Sequence, residues 1–326
     1  MNHIFGPVNS RRLGRSLGID ILPRKICNFD CIYCEVGPTT QLVCERQEYV
    51  PTESIIAEVE EYFADPTVSS RIDVVTVTAS GEPTLHSGLG RIIRFLKERT
   101  GKPVAVLTNG TNLGDKEVAA ALSQADVVIP SLDTVLSTSF RKLNRPAKCV
   151  DLDEMIEGLI QFTNGYEGEL WLEILLARGF NDSKEDIEAL MEVIRRMKLS
   201  RVQLNTVARP PHEKFALPVE QDRLKEIAEQ LSKVPGVPRV EIITYGMSGF
   251  EKGREVAVKQ PHFSRPDDEK LVDEILQMLK RRPCTAVDID RTFFVGGPEK
   301  VERLLEPLVH SGAVEKQHHG DKVFYH

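Results

Sequence analysis

From about residue 16 to residue 244, short runs of β-branched and other apolar residues alternate with longer stretches whose apolar positions recur at helical spacing. The short runs predict strands at 17–22, 72–78, 103–108, 126–132, 170–176, 202–206 and 240–244. The longer stretches predict helices at 52–64, 88–99, 115–123, 151–163, 183–197 and 218–233, several of them opened by Asp, Ser or a Pro-containing turn. Regular strand–helix alternation is the pattern of a parallel sheet covered by helices, an α/β fold. Units of roughly 25 to 45 residues suit a partial (β/α)6-type TIM barrel, whose chemistry gathers at the carboxyl ends of the strands.

Beyond residue 245 the texture changes. Residues 246–266 are rich in Gly, Lys and Pro and read as a linker or lid. Helical patterns follow at 267–281, 285–290 and 297–310, and the alternating segments 313–316 and 322–325 form a small hairpin around His318 to Asp321. Three helices and a two-stranded wing are the order of a winged-helix domain. The predicted division is therefore a barrel at 1–245, a linker or lid at 246–266 and a winged-helix-like domain at 267–326.

At 326 residues, with 41% hydrophobic and 28% charged positions, the chain has the composition of an ordinary globular protein. A net charge of −7 argues against non-specific coating of nucleic acid. Residues 267–326 carry 12 acidic and 9 basic residues, a net of −3, which makes DNA an unfavourable partner and favours a peptide or protein. The amino terminus shows no basic region followed by an apolar run, and no segment is apolar over a membrane-spanning length, so no membrane association and a cytoplasmic location are expected.

The 6 cysteines carry sharper information. Cys27-Asn28-Phe29-Asp30-Cys31-Ile32-Tyr33-Cys34 is a CxxxCxxC run placed directly after the first predicted strand. Three thiolates within one loop can surround a metal centre. A closed zinc site needs a fourth ligand, and His3 and His86 are remote in sequence; a [4Fe–4S] cubane held by three cysteines leaves one iron open. Cys44, Cys149 and Cys284 are far apart and read as small hydrophobes or free thiols.

The CxxxCxxC run, with its aromatic Tyr33 before the last cysteine, resembles the signature of the radical S-adenosylmethionine (SAM) superfamily, and the likeness covers most of residues 10–245. That resemblance implies a [4Fe–4S] cluster on Cys27, Cys31 and Cys34 whose open iron binds SAM. One electron then cleaves SAM to methionine and a 5′-deoxyadenosyl radical, which abstracts hydrogen from a substrate. It also implies a flavodoxin- or ferredoxin-type electron donor.

Ser80-Gly81-Glu82-Pro83 is similar to the superfamily's Gly-Gly-Glu-Pro motif, with serine in place of the first glycine. Asn109, Ser131 and Asp133, at the ends of the next two strands, resemble positions that hold the ribose and carboxylate of SAM. Arg178, after the fifth strand, is placed to clamp that carboxylate. The polar residues Glu173, Asn205 and Thr206, with Arg209 to His212 and Tyr245, are candidates for the substrate pocket. Arg11, Arg12 and Arg15 read either as an anion-binding element or as a solvated basic turn.

The opening segment resembles radical SAM proteins grouped with the wyosine-forming tRNA enzymes, but the additional cysteines that hold a second cluster in those enzymes are missing here. The expectation is thus a radical SAM enzyme acting on a peptide or protein, an RNA or a metabolite. A competing class is an iron–sulfur redox-sensing regulator that signals through the winged-helix domain, and a third is a zinc-stabilised binding module.

Overall fold

The computed structural model describes residues 2–10, 12–243 and 268–326. The predicted linker or lid at 246–266, Tyr245 and Arg11 lie outside the described residues. The chain divides into two units, Met1–Ile242 and Ile243–His326.

The first unit begins with β1 (Ile4–Ser10), β2 (Gly14–Asp20), the short strands β3 (Ile26–Cys27) and β4 (Gln41–Leu42), and helix α1 (Thr52–Tyr62). It continues through β5 (Val74–Thr78), α2 (Leu89–Thr100), β6 (Val104–Thr108), α3 (Lys116–Leu122) and β7 (Val127–Pro130). Helices α4 (Ser137–Leu143) and α5 (Leu152–Gly165) precede β8 (Glu169–Leu176), α6 (Lys184–Ile194), β9 (Arg201–Thr206), α7 (Gln221–Leu231) and β10 (Val240–Ile242). Eight strands form one sheet in the order β1-β2-β5-β6-β7-β8-β9-β10. Every neighbouring pair is parallel except β1 with β2. The fold is therefore α/β around a mostly parallel, barrel-like sheet, with β1 and β10 at its two edges.

Alternation along the strands separates two apolar layers. Val75, Val77, Val104, Val106, Val128, Leu170, Leu172, Val202 and Leu204 pack under the helices in the main core, with Ile55, Ile92, Leu159, Ile187 and Ile227. The opposite face carries a smaller cluster of Val74, Ala105, Val127, Ile129 and Trp171. Asp115, Asp151 and Ser183 cap α3, α5 and α6 by accepting from free N–H groups of the first turn.

Among the elements that were not predicted are β1, β3, β4 and α4. β1 pairs antiparallel with β2, and its register breaks between Phe5 and Val8, where Gly6-Pro7 interrupts the alternation that marks a strand. α4 is only 7 residues long, too short for a helical period to stand out. The cysteines are also corrected: Cys44 and Cys149 are disulfide-bonded across 105 residues of sequence, while Cys284 is buried and in no disulfide. The loop after β4 and the loop after α4 both pair with the cysteine run, which brings these two distant residues together.

The second unit contains α8 (Asp268–Leu279), α9 (Ala286–Phe293), α10 (Pro298–His310) and the antiparallel strands β11 (Lys316–His319) and β12 (Lys322–Tyr325). Thr285 and Asp288 form a reciprocal capping box at the start of α9. Ile275, Met278, Ile289, Val301, Leu305, Phe324 and Tyr325 are buried. The first hairpin strand begins at Lys316, three residues after the predicted start at 313.

Gly158, in the middle of α5, lies against Gly114 in the loop after β6; a Cβ there would sit 2.6 Å from the Gly114 nitrogen. Alanine is the better helix former by about 1 kcal/mol, yet here it must push backbone away. Gly158→Ala is expected to lower stability by about 1–3 kcal/mol, the cost of overpacking. The sign of the shift in a urea-unfolding midpoint checks this.

Candidate functional site

The cysteine run leaves β3 and crosses the carboxyl end of the sheet. Main-chain bonds hold it on both sides. Asp30 and Ile32 donate to the carbonyls of Asn144 and Leu143 at 3.0 Å each, and Ala147 donates to the Asn28 carbonyl at 2.9 Å. On the other flank, His212 and Glu213 donate to the carbonyls of Cys34 and Ile32, each at 2.9 Å. Residues 212–213 thus shape the loop itself, a role their sequence does not signal.

A cavity of about 190 Å³ opens over this loop. Its lining includes Cys27, Cys31, Cys34, Tyr33, Gly81, Glu82, Asn109, Ser131 and Glu173, with Thr78, Leu107 and Ile129 from the ends of β5, β6 and β7. The rule that chemistry collects where parallel strands end is obeyed. Among the described residues no three His, Cys, Asp or Glu side chains close around a single ion. The three cysteines share the lining of one cavity.

Gly81 is needed at its position because a Cβ would fall 1.6 Å from the Ile26 carbonyl oxygen. The next residue, Glu82, donates its N–H to that same oxygen at 3.0 Å. The Glu82 carboxylate is buried and accepts from the Thr84 and Thr108 hydroxyls, each at 2.6 Å, from Thr84 N–H at 3.0 Å and from Asn109 N–H at 2.6 Å. Burial raises its pKa, and the hydrogen bonds from Asn109, Thr108 and Thr84 oppose that rise only in part. Asn109 donates from Nδ2 to Asn28 Oδ1 at 2.6 Å and approaches Cys27 Sγ at 3.8 Å.

Tyr33 and Asp133 form a buried pair: the phenol donates to Asp133 Oδ2 at 2.5 Å, and Asn144 Nδ2 and Leu175 N–H donate to the same carboxylate at 2.8 and 2.9 Å. Burial raises both pKa values. Asp133 lines a small neighbouring cavity of about 40 Å³ with Tyr33, Asn109 and Ser131.

Two predicted site residues are placed elsewhere. Ser80 is buried and turned away, its hydroxyl donating to Asp20 Oδ2 at 2.6 Å. Arg178 is on the surface, donating to Glu220 Oε1 at 2.6 Å, because the chain past β8 turns outward and its N–H bonds the Leu217 carbonyl. Neither lines the main cavity.

Arg12 is not a solvated turn residue. Its guanidinium pairs with Glu173 on β8, and Asn205 Nδ2 donates to the same carboxylate at 3.3 Å. Arg15 pairs with Asp73 at 2.6 Å on the outside. Thr206 is bonded to the Leu176 carbonyl, and Arg209 to Glu35 at 2.8 Å.

Sequence reasoning passed over Lys25. It is 4% exposed, and its Nζ donates to Cys34 Sγ at 2.9 Å and to the Gly37 carbonyl at 3.2 Å. Burial acts to lower its pKa, and the three cysteines together, with the hydrogen bond to Cys34, leave it raised. A lysine in a Pro-Arg-Lys turn gives no signal of this by itself.

The radical SAM superfamily model matches residues 21–194, more than half of the chain. The chain belongs to the radical SAM superfamily. It is an enzyme of that superfamily, whose cofactors are a [4Fe–4S] cluster and SAM. It is 30% identical over 329 residues to the UPF0026 protein MJ1312 of Methanocaldococcus jannaschii, covering 100% of this chain and 96% of that protein. It is also 33% identical over 318 residues to a Brachyspira hyodysenteriae protein named GTPase Obg; this covers 96% of the chain but only 43% of that longer protein. A radical SAM methyltransferase from Sphaerobacter thermophilus shares the fold at a TM-score of 0.52 and 19% identity, over 70% of this chain and 66% of that one. No described helix is long and apolar enough to cross a membrane.

Burial pushes the Cys27 thiol up to about 12 and Cys31 well above its ordinary 9.0. Both therefore keep their protons at neutral pH in the metal-free radical SAM chain, and a metal bound by these sulfurs would have to displace them. Anaerobic cluster loading is expected to release protons and to weaken as pH is lowered from 8.5 toward 6.5. Proton uptake by an indicator dye and the iron content at each pH measure both effects.

Proposed function

We propose that Cys27, Cys31 and Cys34 each ligate one iron of the [4Fe–4S] cluster, leaving the fourth iron to SAM, and that the enzyme abstracts a hydrogen atom from a substrate held beside the cavity. The observation that carries this reading is the sharing of one cavity by three thiols, Glu82, Asn109 and Ser131 at the ends of β3, β5, β6 and β7. When bound, the cluster and SAM supply a 5′-deoxyadenosyl radical.

The chain's own residues supply the rest. Glu82 and the main chain around Gly81 offer acceptors to a ligand ammonium. Asn109 and Ser131 offer hydrogen bonds to hydroxyl or carboxylate groups, and Leu107 and Ile129 form a dry wall that keeps water from a reactive species. Glu173, held by Arg12 and Asn205, marks the polar side on which a substrate is oriented.

The second unit is read as a winged-helix domain. Besides the β11–β12 hairpin, Cys284, between α8 and α9, forms a single antiparallel bridge with Tyr325. Its net charge of −3 over 267–326 favours contact with a peptide or protein over DNA. The substrate class is thus a peptide or protein, an RNA or a metabolite, with a flavodoxin- or ferredoxin-type electron donor. Nothing in the geometry favours a redox-sensing regulator.

Protein reconstituted without oxygen, reduced with dithionite and given SAM is expected to form 5′-deoxyadenosine. Cys31→Ala should reduce the product to background. Stoichiometric zinc with no iron in the purified chain would overturn the assignment.

A further inference from the structure

Lys25 is locked in place from its backbone outward. Its N–H donates to Thr40 Oγ1 at 3.1 Å, and its carbonyl accepts from Thr40 N–H at 3.0 Å, Gln41 N–H at 3.3 Å and Thr40 Oγ1 at 2.9 Å. The side chain is thereby directed inward, and its ammonium reaches Cys34 Sγ at 2.9 Å in the lining of the main cavity.

A buried ammonium is costly unless an anion faces it. The nearby carboxylates are engaged elsewhere: Glu82 with Thr84, Thr108 and Asn109, Glu35 with Arg209, and Asp30 with the Thr39 N–H. No carboxylate pairs with Lys25 among the described residues. The sulfur that its ammonium meets is Cys34 Sγ, at 2.9 Å.

Resting on the proposed ligation, we infer that Lys25 is a positioning residue that acts through Cys34 to set the reduction potential of the cluster. A cubane core of charge +2 with three thiolates carries a net −1, and one-electron reduction makes it −2. A fixed cation donating a hydrogen bond to one ligand sulfur stabilises the more negative state more strongly and raises the potential. Lys25 thereby sets how readily a low-potential donor delivers the electron.

The test is a potentiometric EPR titration of the full-length chain, reconstituted anaerobically and without SAM, as wild type, Lys25→Met and Lys25→Arg. Lys25→Met is expected to lower the ratio of reduced to oxidised cluster at a fixed potential at least tenfold, a midpoint shift of about 59 mV to more negative values for one electron. Lys25→Arg, which keeps charge and donor, should recover most of that shift. Full cluster content with an unmoved Lys25→Met midpoint would overturn the inference while leaving the cluster assignment intact. A wild-type chain that takes up no cuboidal iron would instead sink the proposed function, and the inference with it. If Lys25→Met takes up no cluster, the wild type labelled with 15N at the lysine side chains decides: a 15N coupling to the reduced cluster in pulsed EPR supports the contact, and its absence refutes it.

Discussion

One main-chain contact seats the chemistry of this molecule. The carbonyl of Ile26 accepts the Glu82 N–H at 3.0 Å, and Gly81 presses against the same oxygen so closely that no side chain fits. Through it the segment entering the cysteine run is fixed to the loop after β5. Glu82 then lies close enough to Cys27 for its charge to raise the thiol's pKa, and its own carboxylate gathers the ends of β5 and β6 through Thr84, Thr108 and Asn109. A glycine here follows from the close approach of two backbones, and flexibility is not needed to explain it.

The inner surface of the barrel is divided by chemistry. On one side Val74, Ala105, Val127 and Ile129 form an apolar wall. On the other, β8, β9 and β10 turn charged and amide side chains inward. Arg201 stacks 4.1 Å from the Trp171 ring centre and pairs with Glu241 at 3.2 Å, which also accepts from Gln203. These polar residues sit near the strands' amino ends, and the Arg12–Glu173–Asn205 group is the one that reaches the cavity. On the proposed reading, substrate orientation and radical protection fall to different strands of one sheet.

Much of this was legible in the chain because it is local. Seven parallel strands follow from short apolar runs, and the cysteine spacing places three thiols in one loop. Glu82, Asn109 and Ser131 were singled out by their likeness to superfamily motifs close behind predicted strands, and all three line the cavity. Arg178 satisfied the same positional rule and fails it in space, since a strand end fixes where a backbone emerges but not which way the next side chain turns. Ser80 was likewise read from its motif and is spent on Asp20. The pairings Tyr33–Asp133, Arg12–Glu173 and Cys44–Cys149 span 100, 161 and 105 residues, and no local pattern encodes such separations.

The three thiols are not equivalent, and their difference is written in what donates to them. Cys27 receives the Phe29 N–H at 3.4 Å and the Asn109 amide at 3.8 Å, and Cys31 receives the Asn144 amide at 3.6 Å. These are neutral donors at long range. Cys34 is, among the described residues, the sulfur within hydrogen-bond distance of a cation, at 2.9 Å. Asn144 is itself anchored by Asp133, so the Cys31 contact inherits its position from a carboxylate that also fixes Tyr33. Hydrogen-bond donors around a cluster's ligands are among the levers by which a protein tunes it. On the proposed ligation that lever is asymmetric: two sulfurs meet amides fixed through β6, β7 and α4, and the third meets a charge fixed through the β3–β4 pair. The short β3–β4 ladder, which looks incidental beside the main sheet, is therefore what connects the fold to the electrostatics of the centre.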